Sequence, residues 1–360
     1  MTKKKISTLY KEAPNKYQSI LQREIKVPEL ISTGSTQLDL AISCGKDKYG
    51  GLPACRIIEL SGSGASGKTY FCGELSGNAI RMGYDVYVDD IERRWDLSRL
   101  KTFGFDTTNK QFIYLDPINS VEECFERMLD VASSQKKGKK ALYIVDPIAA
   151  LIAEQERKSD KMGQARAKAV QKHMRFLKDK VSSFSDPQLT VIFSNQLIDA
   201  VGRTFGPSKT SPMGNAMRHW PSVRIRFAVR KVLREEKKGR TSAIKLKVPR
   251  GVQLIANVIK NSEDDAFRTA DLTILYSKGI DDVYDNASWL KKYTKALGKN
   301  ASWYKLPKAT KDKKAHPNLN GIKEFIAYIE EKNLERRLRF LVSKHYRRLH
   351  EPDDRKLRKW

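Results

Sequence analysis

The sequence predicts an α/β fold, a doubly wound and mostly parallel sheet with crossover helices. Two observations carry that expectation. ELSGSGASGKTYF (59–71) runs from an apolar strand through a glycine-rich loop into a helix. DVYVDDIE (85–92), ALYIVD (141–146) and LTVIFSNQ (189–196) are apolar runs that end in carboxylates or amides. Open sheets of this kind gather ligand-binding groups at the carboxyl ends of their strands.

The 360 residues hold 69 Lys and Arg against 42 Asp and Glu, a formal charge of +27. That balance points to a polyanionic partner, most simply nucleic acid. With 40% apolar residues the chain can bury a core, and its length suggests one large domain plus a small one. The longest apolar run, 141–153, is interrupted by Asp146 and Pro147 and is too short to span a bilayer. The start, MTKKKISTLYKEAPNKYQ, has no apolar segment after its basic residues and is not a secretory signal. Cys44, Cys55, Cys72 and Cys124 form no CxxC pair and read as reduced thiols of a cytoplasmic protein.

Residues 1–32 read as an arm, in which KYQSILQREI (16–25) has the pattern of a short amphipathic helix. The strand Ile57 to Leu60 then enters the loop Gly62, Ser63, Gly64, Ala65, Ser66 and Gly67, followed by Lys68 and Thr69. This is G-x-x-x-x-G-K-[ST] without a mismatch. Its glycines let backbone N–H groups converge on phosphate oxygens, and the following helix adds its positive N-terminal end. Lys68 would neutralise the terminal phosphates and the Thr69 hydroxyl would help to hold Mg²⁺. Taken alone, such a loop suits GTPases, kinases, transporters and helicases equally.

The strands that follow narrow the choice. Glu92, at the tip of 85–92, is placed to activate an attacking water. Asp146 ends a run suited to a buried parallel strand and would support Mg²⁺ through water. Gln196 ends the third run, where an amide can sense the γ-phosphate and report it to the loop that follows. The inference is an NTP hydrolase. Residues 161–181 read as a helix with Ala167, Val170, Met174, Leu177 and Val181 on its apolar side. Lys168, Lys172 and Arg175 form a basic stripe on it, either a solvated face or a phosphate track. The polar segment 197–220 is too broken to be core. Val223, Ile225, Phe227 and Val229 alternate with Arg224, Arg226 and Arg230 as in a half-buried strand, with a long turn after it. Ile322, Phe325, Ile326 and Ile329, then Leu334, Leu338, Leu341 and Val342, recur at helical spacing.

In combination these residues resemble the RecA-type recombinases. The matching pieces include ISTGSTQLDLAI, GGLPACRIIELSG, YVDDIERRWD, YIVDPIAAL, KMGQARAKA, FSNQLIDAVGRTFGPSKTSPMGNAMRHW and IANVIKN, in family order across about residues 31 to 306. The resemblance implies a core with ATP and Mg²⁺ as cofactors, Glu92 activating water, and Gln196 coupling the γ-phosphate to DNA. It implies that Met162, Gly163 and the basic residues after them (Arg166, Lys168, Lys172 and Arg175) form a first DNA-binding loop. Residues 197–214 match a second, with Val201 wedging between bases, Arg203 adding charge, and Gly214 and Asn215 near the backbone. Lys260 matches a lysine that reaches the ATP of a neighbouring subunit. Asp96 and Tyr276 match adenine contacts. The arm docks on the adjacent subunit in such relatives.

The sequence departs from the family at several points. Arg99 replaces the usual adenine-stacking tyrosine, and Ser262 replaces a second trans-acting lysine. Ile198 and Ala200 replace basic loop residues. From Arg336 to Trp360 there are ten Lys and Arg against three acids, where familiar bacterial members end in an acidic tail. These departures suggest a phage or mobile-element version, which would act in the host-cell cytoplasm. The expected layout is an arm (1–32), an ATPase core (33–270), an α+β lobe (271–345) and a basic tail (346–360). The implied partners are single-stranded DNA, homologous double-stranded DNA, copies of the same chain in a helical filament, and loading or mediator proteins, with no membrane. Two other readings stay open: a ring-forming ATPase or helicase on the same core, and a non-hydrolysing protein that coats single strands.

Overall fold

Leu142 and Ile144 pack on one face of the central sheet, and Ala141, Tyr143 and Val145 on the other, all of them buried. Burial on both faces is why this run is apolar without alternation. The computed structural model describes residues 29–44, 49–136, 138–156, 164–181, 188–199, 209–210, 216–238, 245–298, 302–308 and 315–350. Within them the main sheet is built from β1 (Ile57–Gly62), β2 (Asp85–Asp90), β3 (Phe112–Tyr114), β4 (Lys140–Asp146), β5 (Gln188–Gln196), β6 (Val223–Lys238), β7 (Lys245–Asn261), β8 (Thr269–Leu275) and β9 (Gly279–Ile280). Their order across the sheet is β9-β8-β7-β6-β1-β5-β4-β2-β3. The six strands from β6 to β3 run parallel, and β7, β8 and β9 add an antiparallel flank.

Helices cover both faces, as the doubly wound expectation requires. On one side α2 (Lys68–Arg81) buries Phe71, Leu75 and Ala79, and α1 (Thr36–Ser43) packs nearby. On the other, α3 (Val121–Ser134) buries Phe125 and Met128 beside Val170, Met174 and Leu177 of α4 (Gln164–Lys180). The apolar side foreseen for α4 is therefore its packed side. Ser120 caps α3, its side chain accepting from the Glu123 N–H at 3.1 Å. A third cluster unites α5 (Asp282–Tyr293), α6 (Ile322–Glu331) and α7 (Glu335–His350), with Leu290, Phe325, Ile329, Leu338 and Val342 buried. Arg339 of α7 reaches back to the buried Asp39 of α1 at 2.9 Å and ties this lobe to the sheet. Among the described residues no helix is long and apolar enough to cross a membrane.

Several expectations change. The sheet continues past residue 270 through β8 and β9, so the core runs to about residue 280. No turn follows SVRIRFAVR directly, and residues 239–244, between the two strands, lie outside the described residues. β6 and β7 instead stay paired to Lys238↔Lys245, and Val229 is 44% exposed because the strand has outrun the core by then. Residues 346–350, assigned to the tail, complete α7, where Tyr346 is buried. Of the arm, residues 29–32 belong to the core: Leu30–Ile31 pairs with Leu52–Pro53, and the Tyr84 hydroxyl donates to Glu29 at 2.7 Å. Residues 1–28 and 351–360 lie outside the described residues.

Candidate active site: a phosphate cradle at the strand ends

β1 ends at Gly62 and α2 begins at Lys68, so the loop between them turns a strand into a helix within five residues. Two glycines are needed there. A Cβ on Gly62 would lie 2.4 Å from Ser66 Oγ and 2.9 Å from the Phe227 carbonyl oxygen, and Gly67 has φ +79°, the left-handed region. The Lys68 amine lies over the loop, donating to the carbonyls of Gly62 (3.1 Å) and Ser63 (3.0 Å). Burial pushes this amine below the usual lysine range, and Asp146 pulls it back. The Thr69 hydroxyl donates to Asp146 Oδ2 at 2.7 Å, and the Trp95 indole N–H donates to the same oxygen at 3.1 Å.

These groups line a cavity of about 260 Å³. Gly64, Ala65, Ser66, Gly67, Lys68 and Thr69 form one wall, and Glu92, Asp146, Gln196 and Tyr276 face it. Topology explains the convergence. Gly62 and Gln196 are register partners in β1 and β5, and a Cβ on Gly64 would sit 3.7 Å from the Gln196 amide nitrogen. Glu92 lies in the turn two residues beyond the end of β2 rather than at the strand tip, and pairs with Arg94 at 3.1 Å. The buried Asp90 holds that turn, accepting from the Arg94 N–H (3.0 Å), the Trp95 N–H (2.8 Å) and the Tyr114 hydroxyl (2.7 Å).

A second cavity, about 300 Å³, opens beside the first and shares Thr69, Tyr70 and Arg94 with it. Asp96 and Arg99 line it and pair with each other at 2.8 Å. Arg99 also donates to the Tyr70 hydroxyl, which in turn donates to the Tyr276 carbonyl at 2.9 Å. Tyr70, Arg94 and Trp95 are the residues that sequence reading missed. The first follows Thr69 in GKTY, and the others sit in ERRWD, where two arginines and a tryptophan break an otherwise acidic segment. The donor set fits a nucleoside triphosphate with a hard divalent ion: loop N–H groups, an ammonium, a hydroxyl and a carboxylate, with a ring-lined cavity alongside.

Lys260 is not part of this cleft. It stands opposite Arg224, which stands opposite Glu59, three residues before Gly62 on β1. At about 3.3 Å per residue and about 4.8 Å per strand, its Cα is roughly 14 Å from the start of the cradle. Its amine donates to the His219 carbonyl at 2.6 Å. Asn195 and Arg224 both donate to the buried Glu59, which crosslinks β5, β1 and β6 beneath the cradle.

On α4, Lys168, Lys172 and Arg175 are exposed as a stripe. Arg166 is not available to a nucleic acid in this arrangement, contrary to expectation. It lies 3.2 Å from Glu156, whose side chain is 3% exposed, and donates to the Ala149 carbonyl at 3.0 Å. A carboxylate that deep requires a counter-charge, and Arg166 supplies it. Met162, Gly163, Val201, Arg203, Gly214 and Asn215 lie outside the described residues.

A family model for the RecA N-terminal domain matches residues 11–281. Protein RecA of Streptomyces venezuelae is 32% identical over 254 residues, which is 70% of this chain and 61% of that protein. Protein RecA of Fusobacterium nucleatum is 30% identical over 259 residues, covering 71% and 62% respectively. Protein RecA of Mycobacteroides abscessus is 31% identical over 260 residues, covering 71% and 68%. The similarity thus spans 61–62% of the length of the first two relatives.

Proposed function

This chain belongs to the RecA family, and from that premise we propose that it is an ATP-dependent recombinase. It polymerises head to tail on single-stranded DNA, pairs that strand with homologous double-stranded DNA, and hydrolyses ATP when DNA is bound. The observation that carries this reading is the convergence of Lys68, Thr69, Asp146, Glu92 and Gln196 on one cavity at the strand ends.

Glu92 takes a proton from the attacking water, whose oxygen bonds to the γ-phosphorus as the bond to the β–γ bridging oxygen breaks and ADP leaves. Lys68 turns from its loop carbonyls toward the phosphates. Thr69 and Asp146 would hold Mg²⁺, whose charge offsets that developing on the phosphate oxygens. Gln196 reads the γ-phosphate at the start of the segment that grips DNA. Lys260 lies too far from its own cradle to serve it, which supports a role at the cradle of the next subunit. A head-to-tail contact of that kind generates an open filament when its rotation does not close.

The test is an ATPase assay with and without single-stranded DNA, on the wild type and on Glu92→Gln, with electron microscopy of the same samples. We expect DNA to stimulate hydrolysis, and the variant to form filaments while losing at least about 100-fold in rate. Wild-type turnover in Glu92→Gln would remove the base assignment, and ATP-saturated protein that stays monomeric on oligonucleotides would remove the recombinase reading.

A further inference from the structure

The second cavity is walled by rings and edged by guanidinium groups. Tyr70, Trp95 and Phe103 line its apolar side, and Arg94, Asp96 and Arg99 its polar side. Tyr70 and Phe103 meet edge to face, with ring centroids 5.7 Å apart. The cavity joins the cradle at Thr69 and Tyr70, the two residues after Lys68. A triphosphate seated on the cradle therefore has this space for its nucleoside, and the flat apolar body of a base suits such walls.

The polar edge decides which base. A carboxylate accepts from an exocyclic amino group such as that of adenine, whereas a guanidinium donates to carbonyls and ring nitrogens. Asp96 is the one carboxylate lining the cavity among the described residues, and it is committed to its own chain. One of its oxygens accepts from the Ser98 N–H at 3.1 Å, capping the 3₁₀ helix Leu97–Phe103, and also from the Ser98 hydroxyl. The other accepts from Arg99 Nε at 2.8 Å. Arg99 is in turn held at two points, by Asp96 and by the Tyr70 hydroxyl, which is fixed on the Tyr276 carbonyl. Its guanidinium thus has a set orientation. Nε and Nη1 each spend one N–H on these partners, and no described residue accepts from the N–H groups that are left.

We propose that Arg99 sets the base preference of this site, and that guanine is taken there on a par with adenine through donation from Arg99 to O6 and N7. Guanine presents those two acceptors on one edge, the commonest base target of arginine, while adenine carries an amino group in place of O6. Adenine keeps only its N7 contact, and the acceptor that would reward its amino group is already occupied. The inference rests on reading the cleft as a nucleoside triphosphate site and names the nucleotides that it takes.

The experiment measures displacement of a fluorescent N-methylanthraniloyl ATP by ATP, GTP and inosine triphosphate with Mg²⁺. It uses the full chain, Arg99→Ala and Arg99→Lys, with hydrolysis of ATP and GTP followed in parallel, with and without single-stranded DNA. The wild type should bind GTP within about threefold of ATP, and inosine triphosphate, which has O6 and N7 but no amino group, should follow GTP. Arg99→Ala removes the donors and releases the Asp96 carboxylate. It should weaken GTP and inosine triphosphate by roughly tenfold, the scale of one good base contact, with ATP unchanged or tighter. Arg99→Lys keeps the charge but not the planar set of donors, and should recover only part of that loss. A wild type that binds GTP more than about tenfold more weakly than ATP overturns the proposal. So does an equal loss of ATP and GTP in Arg99→Ala, which would make Arg99 a stacking or phosphate contact. GTP bound as proposed, with no DNA-stimulated hydrolysis of either nucleotide, would overturn the recombinase reading and leave the base assignment standing.

Discussion

The nucleotide cleft and the exposed face of α4 were both marked by patterns of charged and polar residues, and they differ in how those residues are held. In the cleft each key side chain is anchored by another: Thr69 by Asp146, Lys68 by its own loop, Glu92 by Arg94. On α4, Lys168, Lys172 and Arg175 point to solvent, and the best-held arginine, Arg166, is used internally by Glu156. A site made by strand ends is fixed by the topology of the sheet. A charged stripe on a helix is fixed only by periodicity, which cannot tell a ligand contact from a buried counter-charge.

The largest effect expected from this contrast is in the cleft. Replacing Lys68 by Ala should reduce the rate of ATP hydrolysis by about 10²–10³, the scale for removing one preorganised electrostatic donor. Its melting temperature should barely change, since among the described residues the Lys68 amine is bonded only within its own loop. Steady-state ATPase and a thermal melt check this. Hydrolysis above about a tenth of the wild-type rate would mean that the cradle does not carry the chemistry, and the contrast with α4 would fail on its stronger side.

The same contrast explains what the sequence made legible. The cradle, Asp146 and Gln196 could be read because each follows an apolar run whose end is a strand end, and parallel strands in register bring such ends together. Glu92 was placed nearly as well, two residues beyond the end of its strand. Tyr70 and Arg94 were not legible, because their roles depend on side-chain directions across two neighbouring cavities rather than on spacing. The continuation of β6 and β7 past Arg230 was not legible either. KVLREEKK (231–238) and KLKVPRG (245–251) are too charged to read as strands, and only their pairing with each other makes them so. The role of Arg166 was hidden because Glu156 lies ten residues away in a segment that shows no period.

A pair of variants sharpens the comparison within α4 itself. Arg166→Ala removes the counter-charge from the buried Glu156 carboxylate, which keeps the hydrogen bond from the Ala153 N–H, and should destabilise the fold by about 1–3 kcal/mol. The triple variant Lys168→Ala, Lys172→Ala and Arg175→Ala removes only solvated charge, and its stability should shift by less than about 0.5 kcal/mol. If the stripe does track a single strand, the triple variant should lose about 2 from the slope of its log–log salt plot, from about 0.7 per contact. Urea unfolding and anisotropy on a labelled oligonucleotide separate the two. Equal stability of both variants would show that Arg166 is no more embedded than its neighbours.

The smallest effect concerns what stands behind the cradle. One turn and a half into α2, Glu74 is packed against Gly34 and Gly279: a Cβ on either glycine would lie 2.7 or 2.5 Å from its side chain. Burial raises its carboxyl from 4.5 to about 7, against a hydrogen bond from the Ile280 backbone and the charge of Arg81. Because the folded value lies above the unfolded one, protonation favours the folded state. That contribution is fully present below about pH 4.5 and is lost as the pH rises through 7. Between pH 5.5 and 7.5 the loss should be about 2 kcal/mol. Asp39, raised by burial to about 6 despite Arg339, adds to it with the same sign at lower pH. Urea melts at the two pH values should show the drop, and Glu74→Gln should flatten most of it. The buried carboxylate against α4, Glu156, is instead paired with the Arg166 guanidinium at 3.2 Å. Hydrogen exchange at pH 7.5 should therefore show α2 opening more readily than at pH 5.5, relative to α4. If both helices respond equally, Glu74 reports only on global stability, and the cradle owes its order to its own loop.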